Sequence, residues 1–487
     1  MAVEHFIKYV YHLRLDRKYT FFDSAITRNL VEGGIQTRPV KANGLWCPAL
    51  IPTVLILYST LYEVSPLYKL TTFVSVGLLC YCLLFILFLT ISSEVLKQPE
   101  YGGCIASGLV SSLLVYAFLE TELSYALGIG VPTIYFFTWL LRNSITMCPK
   151  TFTVGEAMVV AQGASLFIMM SIAKFFCDYP CDDEELEFVS LIVYTVLSTV
   201  GLIVTALFTI PDEHRTLRTL AYMVASGVVF LMLLLHSLLG ASCIVDILKY
   251  VFLEHGRAKI FIFWLALVIV AVIALTFRTK LAVKATTVTR KSFHILASLV
   301  FLTGIILDIH LMTFAAGFGL GVLIFVEALR KSGIEPISSA LQSAFVVYSD
   351  EKDCGLFAMT PMYLYVGLAC PLLLVPRHTG EELELLSGVL SIGVGDTAAS
   401  WFGSKYGFNK WSGTNRTYEG TLFNILCQVG TVYTLELFGL ININSGMTRT
   451  LLAATVSGLV EANTEQVDNL VLPLVTMIAF QLTTFMC

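Results

Sequence analysis

Charge is scarce in this sequence. Lys, Arg, Asp and Glu supply 13% of the 487 residues, about half the ~25% usual in a globular domain, which is too little to coat a water-facing surface. The net charge of −5 is weak and gives no sign of the basic patch that a nucleic-acid partner would need, so none is expected. Twelve cysteines are scattered through apolar segments without paired ligand spacing. Cys177 and Cys181, the one close pair in a charged loop, read as incidental. Also missing are a Walker sequence (GxxxxGK followed by Ser or Thr), an internal repeat and a low-complexity tract. Residues 1–44 are charged and mixed, with nothing like an apolar signal core before Leu45, so the first spanning helix is expected to double as the insertion signal.

What the chain has instead is hydrocarbon. At 56% hydrophobic and a mean hydropathy of +0.80, it reads as an all-α polytopic integral membrane protein with no soluble domain. A span needs about 20 apolar residues to cross ~30 Å of hydrocarbon, and ~13–15 segments qualify. The clear ones are 71–90, 157–176, 189–208, 220–239, 260–275, 293–309 and 470–485. Three stretches follow from the character of the links. Residues 1–44 are expected to be a cytoplasmic or interfacial N-terminal segment, 45–277 a lipid-facing transmembrane scaffold, and 278–487 the transmembrane catalytic half. Only beyond Arg278 are the links rich in charge, Gly and Thr. The acidic run 180–187 reads as a solvated loop.

Orientation comes from the cations. The link from Arg278 to Lys291 carries five of them and no acid, which places it in the cytoplasm by the positive-inside bias. Counting spans forward puts 330–355, 404–420 and 461–469 on that same face. A random scatter of polar links would not share one side of the membrane, so a single cytoplasmic-face site is expected.

Three constellations carry chemistry. Arg290, Lys291 and His294 share a face at the start of a helix, where free N–H groups and the dipole favour phosphate oxygens. Asp396 stands in lipid-grade sequence between Gly393, Gly395 and Gly403. An ionised carboxylate in hydrocarbon is costly, so such an acid marks a functional site by default. A polar loop with Lys405, Lys410 and Arg416 among Gly407, Gly413 and Gly420 follows it at once, a cradle suited to a polyphosphate. The third is Glu461, Glu465 and Asp468, which fall on one stripe if the segment is helical. Three like charges tolerate that only with a metal ion or a basic partner between them. The acidic cluster Asp350-Glu351-Lys352-Asp353 stands near them in kind.

These motifs, in this order and spacing, resemble the dolichol kinase family within the wider polyprenol kinase group. The resemblance rests on Arg290-Lys291-Ser292-Phe293-His294, Asp350 to Gly355, Gly393 to Ser400, Trp411 to Thr421 and Glu461 to Asn469, and covers roughly 290–475. It implies CTP-dependent phosphorylation of the terminal hydroxyl of dolichol at the cytoplasmic face of the endoplasmic reticulum, giving dolichyl phosphate for protein glycosylation. On this reading Asp396, His294 and Asp468 are catalytic, and Asp396, Glu465 and Asp468 hold a divalent metal ion, Mg²⁺. CTP is held by Arg290, Lys291, Lys405, Lys410, Gly413, Thr414, Arg416, Thr417, Glu419 and Gly420. The expected partners are CTP, dolichol or another polyprenol, and the lipid bilayer, with a homo-oligomer permitted. The family usually carries Lys in the segment where Asn415 and Arg416 stand here, and Arg416 keeps one cation with a different geometry toward phosphate. A lipid cytidylyltransferase would share the membrane, CTP and acidic helices but release pyrophosphate. A transporter would show inverted repeats and broken helices at the midplane.

Asn415-Arg416-Thr417 is a glycosylation sequon, and the span count predicts that it stays unmodified. Glycosidase treatment of the protein made in eukaryotic microsomes should leave its gel mobility unchanged, whereas a shift assigned to Asn415 would reverse the orientation.

Overall fold

The computed structural model describes residues 20–98, 103–177, 179, 183–253, 256–281, 287–349, 353–376, 382–412, 414–443 and 445–484. Among these the sole extended pairing is an isolated bridge between Lys410 and Thr417, and everything else regular is helical. In chain order the helices are α1 (Thr20–Glu32), α2 (Leu50–Leu61), α3 (Pro66–Ile91), α4 (Cys104–Leu119), α5 (Leu123–Met147) and α6 (Val154–Phe176). Then come α7 (Glu184–Thr209), α8 (Leu217–Leu239), α9 (Cys243–Phe252), α10 (Arg257–Leu281), α11 (Thr287–Leu307), α12 (Ile309–Lys331), α13 (Ile337–Tyr348) and α14 (Met359–Leu374). A π-helix at Val389–Asp396 leads into α15 (Thr397–Tyr406), α16 (Tyr418–Leu437), α17 (Gly446–Asn463) and α18 (Asp468–Thr484).

Eight of the described helices are long and apolar enough to cross a membrane, α3, α5, α6, α7, α8, α10, α11 and α12, and the chain is a multi-pass membrane protein. Shorter apolar helices of 10–17 residues, among them α4, α14 and α18, accompany them. At 1.5 Å per residue a 16-residue helix reaches ~24 Å, short of a full crossing, which is tolerable where protein rather than lipid surrounds it. Such helices separate the eight full-length spans from the larger number expected from hydropathy.

The chain divides into two compact units. The first is Met1–Pro180, Lys352–Leu356 and Leu373–Cys487, and the second is Cys181–Glu351 and Phe357–Leu372. The division does not follow residue 277: the first unit joins the N-terminal third of the chain to the C-terminal motifs.

In the first unit the join is built on one buried acid. Thr153 caps α6, accepting from the Glu156 N–H at 3.2 Å while Glu156 accepts from the Thr153 N–H at 3.0 Å, a reciprocal capping box. The same carboxylate, 0% exposed, takes Arg38 through Nη2 at 2.5 Å and Nε at 3.2 Å and the Val467 N–H at 3.0 Å. Residues 38–44, far from 464–467 in sequence, are sewn to them: the Lys41 N–H donates to Glu465 at 2.8 Å, and Gln466 donates to the Ala42 carbonyl at 2.9 Å. Gly155 permits the approach, because a Cβ there would lie 1.9 Å from the Gly44 carbonyl oxygen. The N-terminal stretch is therefore part of this unit's core, with Asp23 and Asn43 buried against each other.

In the second unit α8 and α10 keep only 11% and 6% of their apolar windows buried, which makes them lipid-facing. The acidic run expected to be solvated is instead structured here. Asp183 caps α7 by accepting from the Leu186 N–H at 2.9 Å, and Glu185 binds Arg257 and His310. Arg257 also holds Asp308 at 2.5 Å and lies over the Tyr250 ring. The cause is the cation buried at the head of α10, which needs carboxylate partners in a low-dielectric setting.

Removing one partner of a buried ion pair leaves the other uncompensated. Glu156→Ala should cost about 3–5 kcal/mol and Glu156→Gln, which keeps the volume and one of the two acceptor oxygens, less. Thermal unfolding in detergent checks the order of the two.

Candidate functional site

The Gly/Asp segment is split. Val389–Asp396 is π-helical and only Thr397–Tyr406 is α-helical. Thr397 Oγ1 reaches back five residues to the Ile392 carbonyl at 3.4 Å. The wider turn is a recurrent feature of functional sites, and here glycines make room for it. A Cβ on Gly395 would stand 2.6 Å from both Asn424 Oδ1 and Gln428 Nε2. Asp396 ends the π-helix at 3% exposure, and Ser400 follows one turn later.

α15 carries the chain to the cation loop. It packs on α16 through Gly403 and Gly420, where a Cβ on either would come within 3.4 Å of the other's Cα. Between them 407–417 folds into a tight reversal, with the Trp411 N–H bonded to the Arg416 carbonyl at 2.9 Å and the Tyr418 N–H to the Asn409 carbonyl at 2.9 Å. Trp411 anchors it, buried against Ala462, Leu459 and Tyr418, with Nε1 donating to Thr421 at 3.0 Å. Glu419 braces the other strand by accepting from Asn409 Nδ2 at 2.8 Å. Its own backbone N–H, then the Asn409 amide groups and the Phe408 N–H, hold its carboxyl below the usual carboxylate range. Thr417 caps α16 by accepting from the Gly420 N–H at 3.1 Å. Thr414 Oγ1 accepts from the Arg416 N–H at 3.3 Å.

Arg416 closes the arrangement. Its Nη1 donates to Glu461, and its Nη2 to both oxygens of Asp468, at 3.0 and 2.9 Å. The single helical stripe expected for Glu461, Glu465 and Asp468 does not form. α17 stops at Asn463, Thr464 is extended, and α18 begins at Asp468. The break spares three like charges from stacking on one face, and each acid finds a different environment. Glu461 ends one helix, Asp468 opens the next where the dipole favours a carboxylate, and Glu465 turns to the Lys41 N–H. Among the described residues no group of three or more His, Cys, Asp or Glu side chains could hold one metal ion.

Of the other assigned residues, Lys405 is exposed and lies over the Trp401 and Tyr406 rings at 5.2 and 5.3 Å, and Lys410 is exposed beside its bridge to Thr417. Gly413 lies outside the described residues, as do Asp350, Glu351 and Lys352. Arg290 and Lys291 are half-buried in the first turns of α11 and His294 is buried. All three belong to the second unit, whereas Asp396, the loop and 461–468 belong to the first. Within the first unit the polar links gather at one end. Residues 354–356 bond Lys150 and Thr151, the Lys150 N–H bonds the Gln36 carbonyl and the Arg38 N–H the Phe152 carbonyl, and residues 38–42 bond 465–466. Sequence reasoning missed Arg38 and Glu156, whose partners are remote, and also Asn424 and Gln428. That last pair did carry a signal: two amides spaced i, i+4 in an apolar helix.

Fold and site together define a multi-pass membrane enzyme. The family model for dolichol kinase matches residues 72–362. A dolichol kinase of Bos taurus is 30% identical over 395 residues, covering 77% of this chain and 73% of the bovine protein. That of Homo sapiens is 29% identical over the same shares, and one of Arabidopsis thaliana is 31% identical over 47% of this chain and 41% of its own length. No solved structure matches. The chain belongs to the dolichol kinase family. The likeness reaches back to residue 72, over spans in which the motifs alone showed only a run of hydrophobic helices.

Lysine cannot span two acids as a guanidinium fork does. Arg416→Lys should therefore lower stability by about 1–3 kcal/mol and expose the loop, read as a fall in unfolding temperature together with faster amide exchange across 407–417.

Proposed function

We propose that this chain is a CTP-dependent dolichol kinase of the endoplasmic reticulum membrane, which transfers the γ-phosphate of CTP to the terminal hydroxyl of dolichol on the cytoplasmic face. The observation that carries the reading is the layering of the first unit at its polar end. Asn424 lies against the positions of both Gly395 and Gly458, so the buried Asp396 sits about one helical turn, roughly 5 Å along the axis, from the level of Glu461 and its Arg416 partner. A carboxylate inside an apolar bundle thus stands beneath a loop rich in cations.

That layering suits the two substrates. A polyisoprenol cannot leave the bilayer and a triphosphate cannot enter it, so the reacting atoms have to meet at the interface. Phosphoryl transfer asks of the protein mainly alignment and neutralisation of spreading charge. Lys405 and Lys410, both exposed, and Arg416 would hold the phosphates. Thr414, Thr417, Glu419 and Gly420 shape the loop rather than point into it. Asp396 would accept the proton of the dolichol hydroxyl, since a base in a low-dielectric site is well placed for that task. Glu461 and Asp468 share the Arg416 guanidinium, and carboxylates so placed are a donor set that fits a cation arriving with the phosphates. Mg²⁺ commonly takes one or two carboxylates and fills its shell with phosphate oxygens and water. Asp468 would hold it, joined by Asp396 if that residue serves as ligand instead of base, and it would supply charge neutralisation. Glu465, engaged by Lys41, would act through the loop that carries Asp468.

Asp396→Asn should abolish transfer of label from γ-labelled CTP to dolichol while the protein remains membrane-inserted. Near-normal turnover would remove Asp396 from the mechanism, and release of labelled pyrophosphate by the wild type would make the chain a cytidylyltransferase.

A further inference from the structure

Asn424 and Gln428 are one turn apart on α16, both at 0% exposure, in a helix whose other residues over 422–435 are apolar, glycine or hydroxyl-bearing. Gln428 Nε2 donates to Asn424 Oδ1 at 2.6 Å. That bond uses one donor and one acceptor, and it leaves Asn424 Nδ2 and Gln428 Oε1 with no hydrogen-bond partner among the described residues. A buried amide nitrogen and a buried amide oxygen left unmatched are costly, and two on adjacent turns of one helix are not expected of a merely structural pair. Exchanging oxygen and nitrogen in both amides changes nothing essential: one acceptor and one donor still remain.

A donor beside an acceptor complements a hydroxyl, which gives one hydrogen bond and accepts another. The surroundings fit an alcohol better than an ion, for neither amide is charged. The pair is also held against the catalytic segment: the two amides fill the space that a Cβ of Gly395 would occupy, one residue before Asp396, and Asn424 reaches Gly458 on α17 as well. We propose that the Asn424–Gln428 amide pair is the binding site for the hydroxyl end of the lipid alcohol, which it presents beside Asp396. This rests on the kinase reading and adds to it the residues that recognise the acceptor rather than the nucleotide. It also gives the π-helix a role, because the widened glycine-bearing turn is what lets two amides approach the backbone next to the acid.

The test uses the full-length protein in mixed micelles, with a C20–C100 polyprenol series and γ-labelled CTP. Asn424→Leu/Gln428→Leu replaces both amides with apolar groups of similar volume. Because unmatched polar groups are removed, the unfolding temperature without substrates should be at least that of the wild type. The KM for polyprenol should rise about tenfold or more for every chain length, with the KM for CTP unchanged. Restoring one amide in Asn424→Leu or Gln428→Leu alone should give an intermediate KM. An unchanged polyprenol KM in the stable double variant overturns the proposal, as does a fall in unfolding temperature with both KM values disturbed together, which would mark the amides as structural. A wild type that transfers no label overturns the kinase reading and this one with it.

Discussion

The site depends on the carboxylate of Glu156. It sits at the head of α6, and with its few hydrogen bonds it fixes three chain segments that are remote in sequence. It completes the cap of its own helix, neutralises Arg38, and takes the Val467 N–H. The last bond sets the register at which α18 begins, and hence where Asp468 stands. Asp468 in turn receives Arg416, which with Trp411 docks the cation loop on α17. Each step hands a position to the next. A buried ion pair of this kind adds little net stability, since desolvation offsets attraction. What it secures is position, because breaking the pair would leave an uncompensated buried charge.

The same logic separates the two ends of the bundle. Where Arg449 meets Glu384, at the start of α17 and the end of α18, the charges close on one another and on the Phe480 carbonyl and Thr484 hydroxyl. At the opposite end two acids share one guanidinium, Lys405 and Lys410 are exposed in the segment leading to it, and Asp396 and the amides of α16 lie about a turn away. On the proposed reading, the end with exposed cations is the one that receives a polyanion. The glycines serve that purpose locally: Gly395 admits the amides, and Gly403 with Gly420 lets α15 and α16 approach until the loop between them becomes tight.

Much of the site was legible because its residues break the surrounding pattern. Asp396 in hydrocarbon, three cations among glycines, and three acids in nine residues are each improbable in a membrane span, and two of the three constellations proved to be neighbours. Their local geometry was not legible. The acids looked like a helical stripe because i, i+4, i+7 spacing is all that a sequence offers; the chain instead ends a helix at Asn463, where it is pulled toward Glu156 and the N-terminal segment. The π-turn was hidden for a related reason. Glycine allows a wide turn without demanding one, and the demand comes from amides on a different helix. The two-unit division escaped a linear reading because the first unit closes with residues from both ends of the chain.

The amino-acid sequence by itself determined the solvent, the helical class and the kind of chemistry. Apolar burial and helix formation are settled segment by segment, and an acid or cation in a membrane span announces itself wherever it lies. Tertiary structure alone decided which acid answers which cation, since such pairs join residues 52 positions apart, as for Arg416 and Asp468, or 118, as for Arg38 and Glu156. An ion pair is a property of two side chains at a few ångströms, and that proximity is created only when the chain has folded.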